Sequence, residues 1–180
     1  RSLRSKFRKS NAGFISGNAA HSGLADNSQD KVYGEAMLTM HADHRKEEIV
    51  REAHRILKPG GLYAIHELGI TPDDIGTEEK AVIQRDLAQS IRVNARPLTK
   101  TEWTALLEKQ GFEVKHIYTN KMHLLHIGRM IQDEGFIRTL KIGYNILANP
   151  SARRRISEMR QTFKKHEKDM NAIVVIAQKK

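Results

Sequence analysis

The chain has 180 residues and 20.5 kDa, and 39% of its residues are apolar, enough for the core of one ordinary domain and too many for a disordered chain. It has 31 basic against 21 acidic side chains, a formal charge of +10, and no cysteine. Disulfide scaffolds, thiolate metal sites and thiol nucleophiles are thereby excluded, which fits a cytoplasmic protein.

No apolar run approaches the roughly 20 residues of a membrane span, and the basic start lacks the apolar stretch of a signal peptide. The charge sits at the two ends. Residues 1–9 carry five basic and no acidic side chains, residues 151–180 nine basic and three acidic, and the region between is near neutral. Basic ends suit nucleic acid or an anionic surface. Aromatic residues do not interleave with these, however, as base stacking requires, so nucleic acid is disfavoured as a partner.

In chain order, Phe14-Ile15-Ser16-Gly17-Asn18-Ala19 reads as a short strand ending in a polar turn, and Asp30 to Met37 as a second strand. From Arg45 to Leu57, apolar Ile49, Val50, Ala53, Ile56 and Leu57 recur at helical spacing. Lys58-Pro59-Gly60-Gly61 stops that helix, because proline cannot continue it and glycine accepts positive φ. Leu62 to Leu68 is a continuous apolar run with a polar tail, the pattern of a buried parallel strand whose end opens on a site. Glu78 to Ile91 reads as a helix and Arg96-Pro97-Leu98 as a break. Thr99-Lys100-Thr101-Glu102 forms a capping box, and Gly111 stops the helix it opens. Phe112 to Thr119 alternates like a strand. Residues 122–168 read as helical in three pieces, broken near Gly135 and at Asn149-Pro150, and Ala172 to Ala177 is a β-branched strand. Alternating strands and helices predict an α/β fold with a largely parallel sheet.

Glycine-rich phosphate loops and the G-x-S-x-G serine elbow are absent from the sequence. His41-x-x-His44 and His123-x-x-His126 have a spacing that can share a helix face, but neither pair has a third ligand at a telling distance. Surface or capping histidines are therefore the simpler reading, and no metal is expected. Glu35, His66 and Glu67 stand at the predicted carboxyl ends of strands, where open parallel sheets bind ligands. A polar residue there serves equally well as a helix cap or an ion-pair partner.

The order of Gly17-Asn18-Ala19, Asp30 to Leu38 (DKVYGEAML) and Arg51 to Leu62 (REAHRILKPGGL) resembles the class I S-adenosylmethionine-dependent methyltransferases, and within them the type 11 small-molecule group. Thr99, Glu102-Trp103, Leu107 and Gly111-Phe112-Glu113-Val114 match the family's later helix and strand. The resemblance covers roughly residues 10–118 and the last strand. It implies a Rossmann-like sheet, mostly parallel with the last strand antiparallel. Residues 1–121 would be the sheet region, 122–168 a helical insertion and 169–180 the final strand, together forming a partial domain. Phe14–Gly17 would be the family's third strand. Its first two strands, with the glycine-rich cofactor loop and the ribose-binding acid, are not found in this sequence.

By the same resemblance, S-adenosylmethionine would be bound by Asn18, Ala19, Gly34, Glu35 and Met37. Asn18 would accept from the adenine amino group where the family usually has aspartate, and Met37 and Leu38 would lie near the transferred methyl. Gly34-Glu35-Ala36-Met37 lacks the Asn/Asp-Pro-Pro-aromatic turn of base-amino methyltransferases, which points to a small-molecule acceptor. Glu35, His41 and His66 are the candidates for a general base, where the acceptor needs one. The insertion at 122–168 would cap the acceptor, close a homodimer, or both. Two other functions fit the same sequence: a non-catalytic interaction module, and an RNA-modifying methyltransferase.

Overall fold

The computed structural model describes residues 13, 15–121 and 149–180. Its strands are β1 (Gln29–Glu35), β2 (Leu57–Ile70), β3 (Leu98–Thr99), β4 (Phe112–Lys121) and β5 (Met170–Lys179). Its helices are α1 (Asp43–Ile56), α2 (Thr77–Ile91), α3 (Lys100–Lys109) and α4 (Pro150–Lys165), with a short 3-10 turn at Leu38–Met40. The sheet order is β1-β2-β5-β4, and β3 also pairs with β2. β1 and β3 run parallel to β2, while β5 is antiparallel to both its neighbours. The sheet is thus α/β, mostly parallel with an antiparallel last strand, as expected.

The main core lies on one sheet face. There Ile49, Val50 and Ala53 of α1 and Trp103 and Leu107 of α3 cover Tyr63, Ile65, Phe112, Ile173 and Val175. The indole N–H of Trp103 donates to the carbonyl of Leu68 at 3.1 Å, so this large side chain is buried without an orphaned donor. A second cluster joins Ile83 and Leu87 of α2 to Ile70 and Met170, with Phe163 of α4 packed against it.

Two boundaries differ from expectation. β2 begins directly after α1, at Leu57, so Lys58–Gly61 is a bulged strand entry rather than a separate break. The irregularity is local: Gln29 pairs with Leu57 but Lys31 with Leu62. Gly60 takes φ +77°, and a Cβ on Gly61 would stand 2.8 Å from the carbonyl oxygen of Lys58. The two glycines therefore let the chain double in tightly before the ladder starts. The second difference is at the start of the chain. Ile15–Gly17 form no strand, and Asn18 and His21 make only an isolated bridge. In doubly wound sheets the third strand is separated from the fourth by the second and first. Among the described residues no strand lies beside this segment for it to pair with.

The capping box forms as predicted: Glu102 N–H donates to Thr99 Oγ1 at 3.3 Å, and Thr99 N–H to Glu102 Oε2 at 2.9 Å. At Gly111, φ is +89°, and a Cβ would stand 3.0 Å from the His54 ring. Asn149-Pro150 opens α4, with the Asn149 side chain accepting Ser151 N–H at 3.1 Å, the normal combination of an N-cap followed by proline. The expected helical pieces at 122–148, including His123 and His126, lie outside the described residues. Among the described residues no helix is long and apolar enough to cross a membrane.

Candidate active site

One edge of β2 is shared by two strands. β1 pairs along it as far as Glu35, opposite His66, and β3 takes over at Gly69. At the exchange the chain leaves β1 over the carboxyl ends of the strands, where parallel sheets open their binding crevices. Ala36 turns there with φ +47° and donates its N–H to the His66 carbonyl at 2.8 Å.

Adjacent side chains on β2 point to opposite faces, and His66 and Glu67 divide accordingly. Glu67 is only 3% exposed and works inward. Its Oε1 accepts the N–H groups of Met37 at 2.9 Å and Leu38 at 2.7 Å, and its Oε2 those of Thr39 at 3.1 Å and the Thr39 hydroxyl at 2.7 Å. One carboxylate thus fills a nest of successive backbone donors and fixes the loop that follows β1. Thr39 Oγ1 in turn accepts Leu68 N–H at 3.3 Å, and the Thr39 carbonyl accepts Arg96 N–H at 2.8 Å. The loop is fastened to β2 on one side and to the approach of β3 on the other. Leu38, expected near the methyl group, is wholly buried in the main core.

His66 works on the opposite face. Its Nδ1 lies 2.8 Å from Glu35 Oε1, and the Tyr33 hydroxyl donates to Glu35 Oε2. Tyr33 and Glu35 share a face because they are two residues apart on one strand. The Tyr33 bond, and next the His66 contact, hold the Glu35 carboxyl below its ordinary value, although partial burial opposes them. Tyr33 is pushed up to about 12, chiefly because its hydroxyl is bonded to that carboxylate. With Nδ1 facing Glu35, the imidazole presents Nε2 outward. His41 follows the 3-10 turn, its N–H on the Leu38 carbonyl at 3.0 Å, and it does not join this trio.

Near the adenine position suggested by the sequence, Asn18 Oδ1 accepts Ala20 N–H at 3.0 Å and a guanidinium N–H of Arg45 at 2.5 Å. The N–H of Ala19 has no acceptor among the described residues. The following loop is clasped to α1: Ser22 donates to Glu52 through N–H and hydroxyl at 2.7 and 2.6 Å, and Arg55 bonds Glu52 and the Leu24 carbonyl. At the end of β1, a Cβ on Gly34 would stand 3.5 Å from the Tyr63 hydroxyl and 3.8 Å from Met37 Cε. The missing side chain leaves a methyl-sized gap between them. Among the described residues no three His, Asp or Glu side chains could hold a metal ion.

The model of the methyltransferase domain family matches residues 1–65, which include this loop and both strand starts. The sheet also superimposes on the cyclopropane synthase MmaA2 of Mycobacterium tuberculosis with a TM-score of 0.69 at 14% identity, over 98% of this chain and 65% of that one. In fold, the chain is similar to these methyltransferase-domain proteins. A second solved structure, phosphoethanolamine N-methyltransferase 2 of Haemonchus contortus in complex with S-adenosyl-L-methionine, matches with a TM-score of 0.57 at 18% identity, over 90% of this chain and 36% of that one. At such identities the likeness is one of fold. In sequence, an uncharacterized protein of Haemophilus influenzae is 33% identical over 162 residues, which are 90% of this chain and 62% of that protein. The chain thus spans about three fifths of the length of this relative.

The sequence pointed to Glu35 and His66 separately, and the fold brings them into contact. Tyr33 was missed, although its i, i+2 spacing to Glu35 on a strand was a usable signal. Arg45 and Thr39 carried no such signal, since both meet their partners across loops.

Proposed function

We propose that this protein transfers the methyl group of S-adenosylmethionine to a small-molecule acceptor at the carboxyl ends of β1 and β2. The observation that carries this is the end of β1, where the gap at Gly34 and the loop fixed by Glu67 lie on one face of the sheet and the Glu35–His66 pair on the other. The residues present fit the cofactor at two points: Ala19 offers an N–H with no acceptor among the described residues, and Gly34 leaves room beside Met37. Asn18 would hold the adenine amino group through the Oδ1 that now accepts from Arg45, which also pairs with Glu48 at 2.5 Å. When bound, S-adenosylmethionine supplies an electrophilic methyl on a sulfonium.

The chain's own part is positioning and proton transfer. The loop after β1, held by Glu67, aligns the acceptor with that methyl, which is the larger share of such catalysis. Where the acceptor is an O–H or N–H group, Nε2 of His66 takes its proton, while Glu35 holds the ring through Nδ1 and stabilises the imidazolium. His41 stands at the mouth of the same loop and orients the acceptor. The turn after β1 has no proline pair, which favours a small metabolite over a nucleobase amino group.

Calorimetric titration of the full protein with S-adenosylmethionine tests this reading. Micromolar binding is expected, at least tenfold weaker in Gly34→Val, with circular dichroism unchanged. Silence from the folded full protein would overturn it.

A further inference from the structure

We propose that the cleft enclosed by α1, α2, α3 and the approach to β3 is a binding site for a small organic anion, a carboxylate or a phosphate monoester with a short apolar body. The cavity measures about 490 Å³, within the range of small-molecule sites. It lies behind the Thr39 loop, whose carbonyl accepts the N–H of Arg96 at 2.8 Å.

The floor of the cleft is a buried cation. The side chain of Lys46 is 0% exposed, and its ammonium lies 5.9 Å from the Trp103 ring centroid. An ammonium has three N–H donors, and among the described residues only one finds a hydrogen-bond partner, Asp43 Oδ1 at 2.7 Å. Burial, with Arg96 and Lys80 nearby, pulls the Lys46 ammonium below the ordinary lysine range, and Asp43 only partly offsets that. A lysine held in this way is short of negative charge.

Arg96 supplies the second contact. Its guanidinium makes no hydrogen bond among the described residues, and the nearest carboxylate, Asp43, is 3.9 Å away. That leaves the planar fork open for a two-oxygen anion, the geometry in which arginine binds carboxylate or phosphate most strongly. The other lining charges are already matched: Lys80 bonds both oxygens of Glu102, and Lys109 lies 2.8 Å from Glu47. Four cations therefore face three carboxylates, and the surplus is at Arg96 and Lys46. An anion seated between them would use the free donors and cancel the surplus. Ala81, Leu98 and Leu106 supply the apolar wall, which suits a short hydrocarbon body behind the charged head.

The proposal does not depend on methyl transfer, so each reading can fail alone. Its test is a nitrogen-15 NMR titration of the protein with hexanoate, inorganic phosphate and hexanol, at constant ionic strength set with chloride. Hexanoate is expected to shift the amide signals of Asp43, Lys46, Arg96 and Glu102 saturably, and hexanol to leave them unmoved. Phosphate shifting the same signals would show that the charged head suffices. Saturation by hexanoate alone would show that the apolar wall is needed, and either result supports the site. Arg96→Gln, at a partly exposed position that should fold normally, is expected to weaken binding at least tenfold. Lys46→Met gives the same loss if it folds. No saturable shift with either anion, equal shifts with hexanol, or undiminished binding in Arg96→Gln would each overturn the proposal.

Discussion

Glu67 and Thr39 are joined twice, one carboxylate oxygen of Glu67 accepting both the backbone N–H of Thr39 at 3.1 Å and its hydroxyl at 2.7 Å. With the amides of Met37 and Leu38 on the other oxygen, a single buried side chain on β2 sets the course of the loop after β1. Truncating it would leave three backbone donors buried without acceptors, and each such group costs about 1–3 kcal/mol. Glu67→Leu is therefore expected to lower stability by about 3 kcal/mol or more in urea unfolding. Glu67→Gln, which keeps one acceptor oxygen, should cost less. Equal stability of Glu67→Leu and wild type would refute this role.

The Tyr33–Glu35 bond gives an optical test of the strand-end trio. Tyr33 is held neutral up to about pH 12 by the carboxylate beside it. Because its pKa is raised on folding, the stability it contributes is complete below pH 10 and disappears as pH rises toward 12. In Glu35→Gln the phenol should titrate at a lower pH than in wild type, because the largest cause of the rise is gone. Ultraviolet absorbance of the phenolate at 295 nm reads this directly. An unchanged Tyr33 titration in that variant would remove the bond from the account.

Acid should release the clasp over the Asn18 loop. Glu52 is lowered from 4.5 to about 2, mainly by the hydrogen bonds of Arg55 and Ser22 to its charged form, against an opposing effect of burial. A carboxyl with a lowered folded pKa adds stability above its unfolded value, and that stability fades as pH falls through the folded one. The stability gap between wild type and Glu52→Gln is therefore expected to be full above pH 4.5 and to shrink toward pH 2. Denaturant melts at several pH values measure it. A gap constant over that range would contradict the assignment.

Lys179 performs the capping that no glycine performs at the end of α1. Its ammonium donates to the carbonyls of His54 at 2.7 Å and Leu57 at 2.8 Å, and to Asn27 Oδ1 at 2.9 Å. A cation on helix-end carbonyls is favourable for both hydrogen bonding and the helix dipole. Lys179→Met keeps the packed stem and loses all three bonds, so a loss of about 2 kcal/mol is expected. Thermal unfolding that matches wild type would show that water replaces the ammonium without cost.

The sequence by itself determined the element order, the mostly parallel sheet and the two helix signals of greatest local strength, the Thr99–Glu102 capping box and the Gly111 stop. These are decided within a few residues, by side-chain bonds to nearby backbone and by φ values that only glycine takes easily. It also marked Glu35, His66 and Glu67 at predicted strand ends; Glu35 ends β1, whereas β2 runs on past His66 and Glu67 to Ile70. Tertiary structure alone decided what those residues do. Whether His66 meets Glu35 depends on the register of β1 against β2, and the bulge between Gln29 and Lys31 sets that register. Glu67 and Thr39 lie 28 residues apart, and Lys179 and His54 lie 125 apart. No local period encodes such meetings, because they are chosen by how the helices pack on the sheet. The segment Ile15–Ala19 makes the same point from the other side, since a strand-like sequence forms a strand only where a neighbouring edge pairs with it.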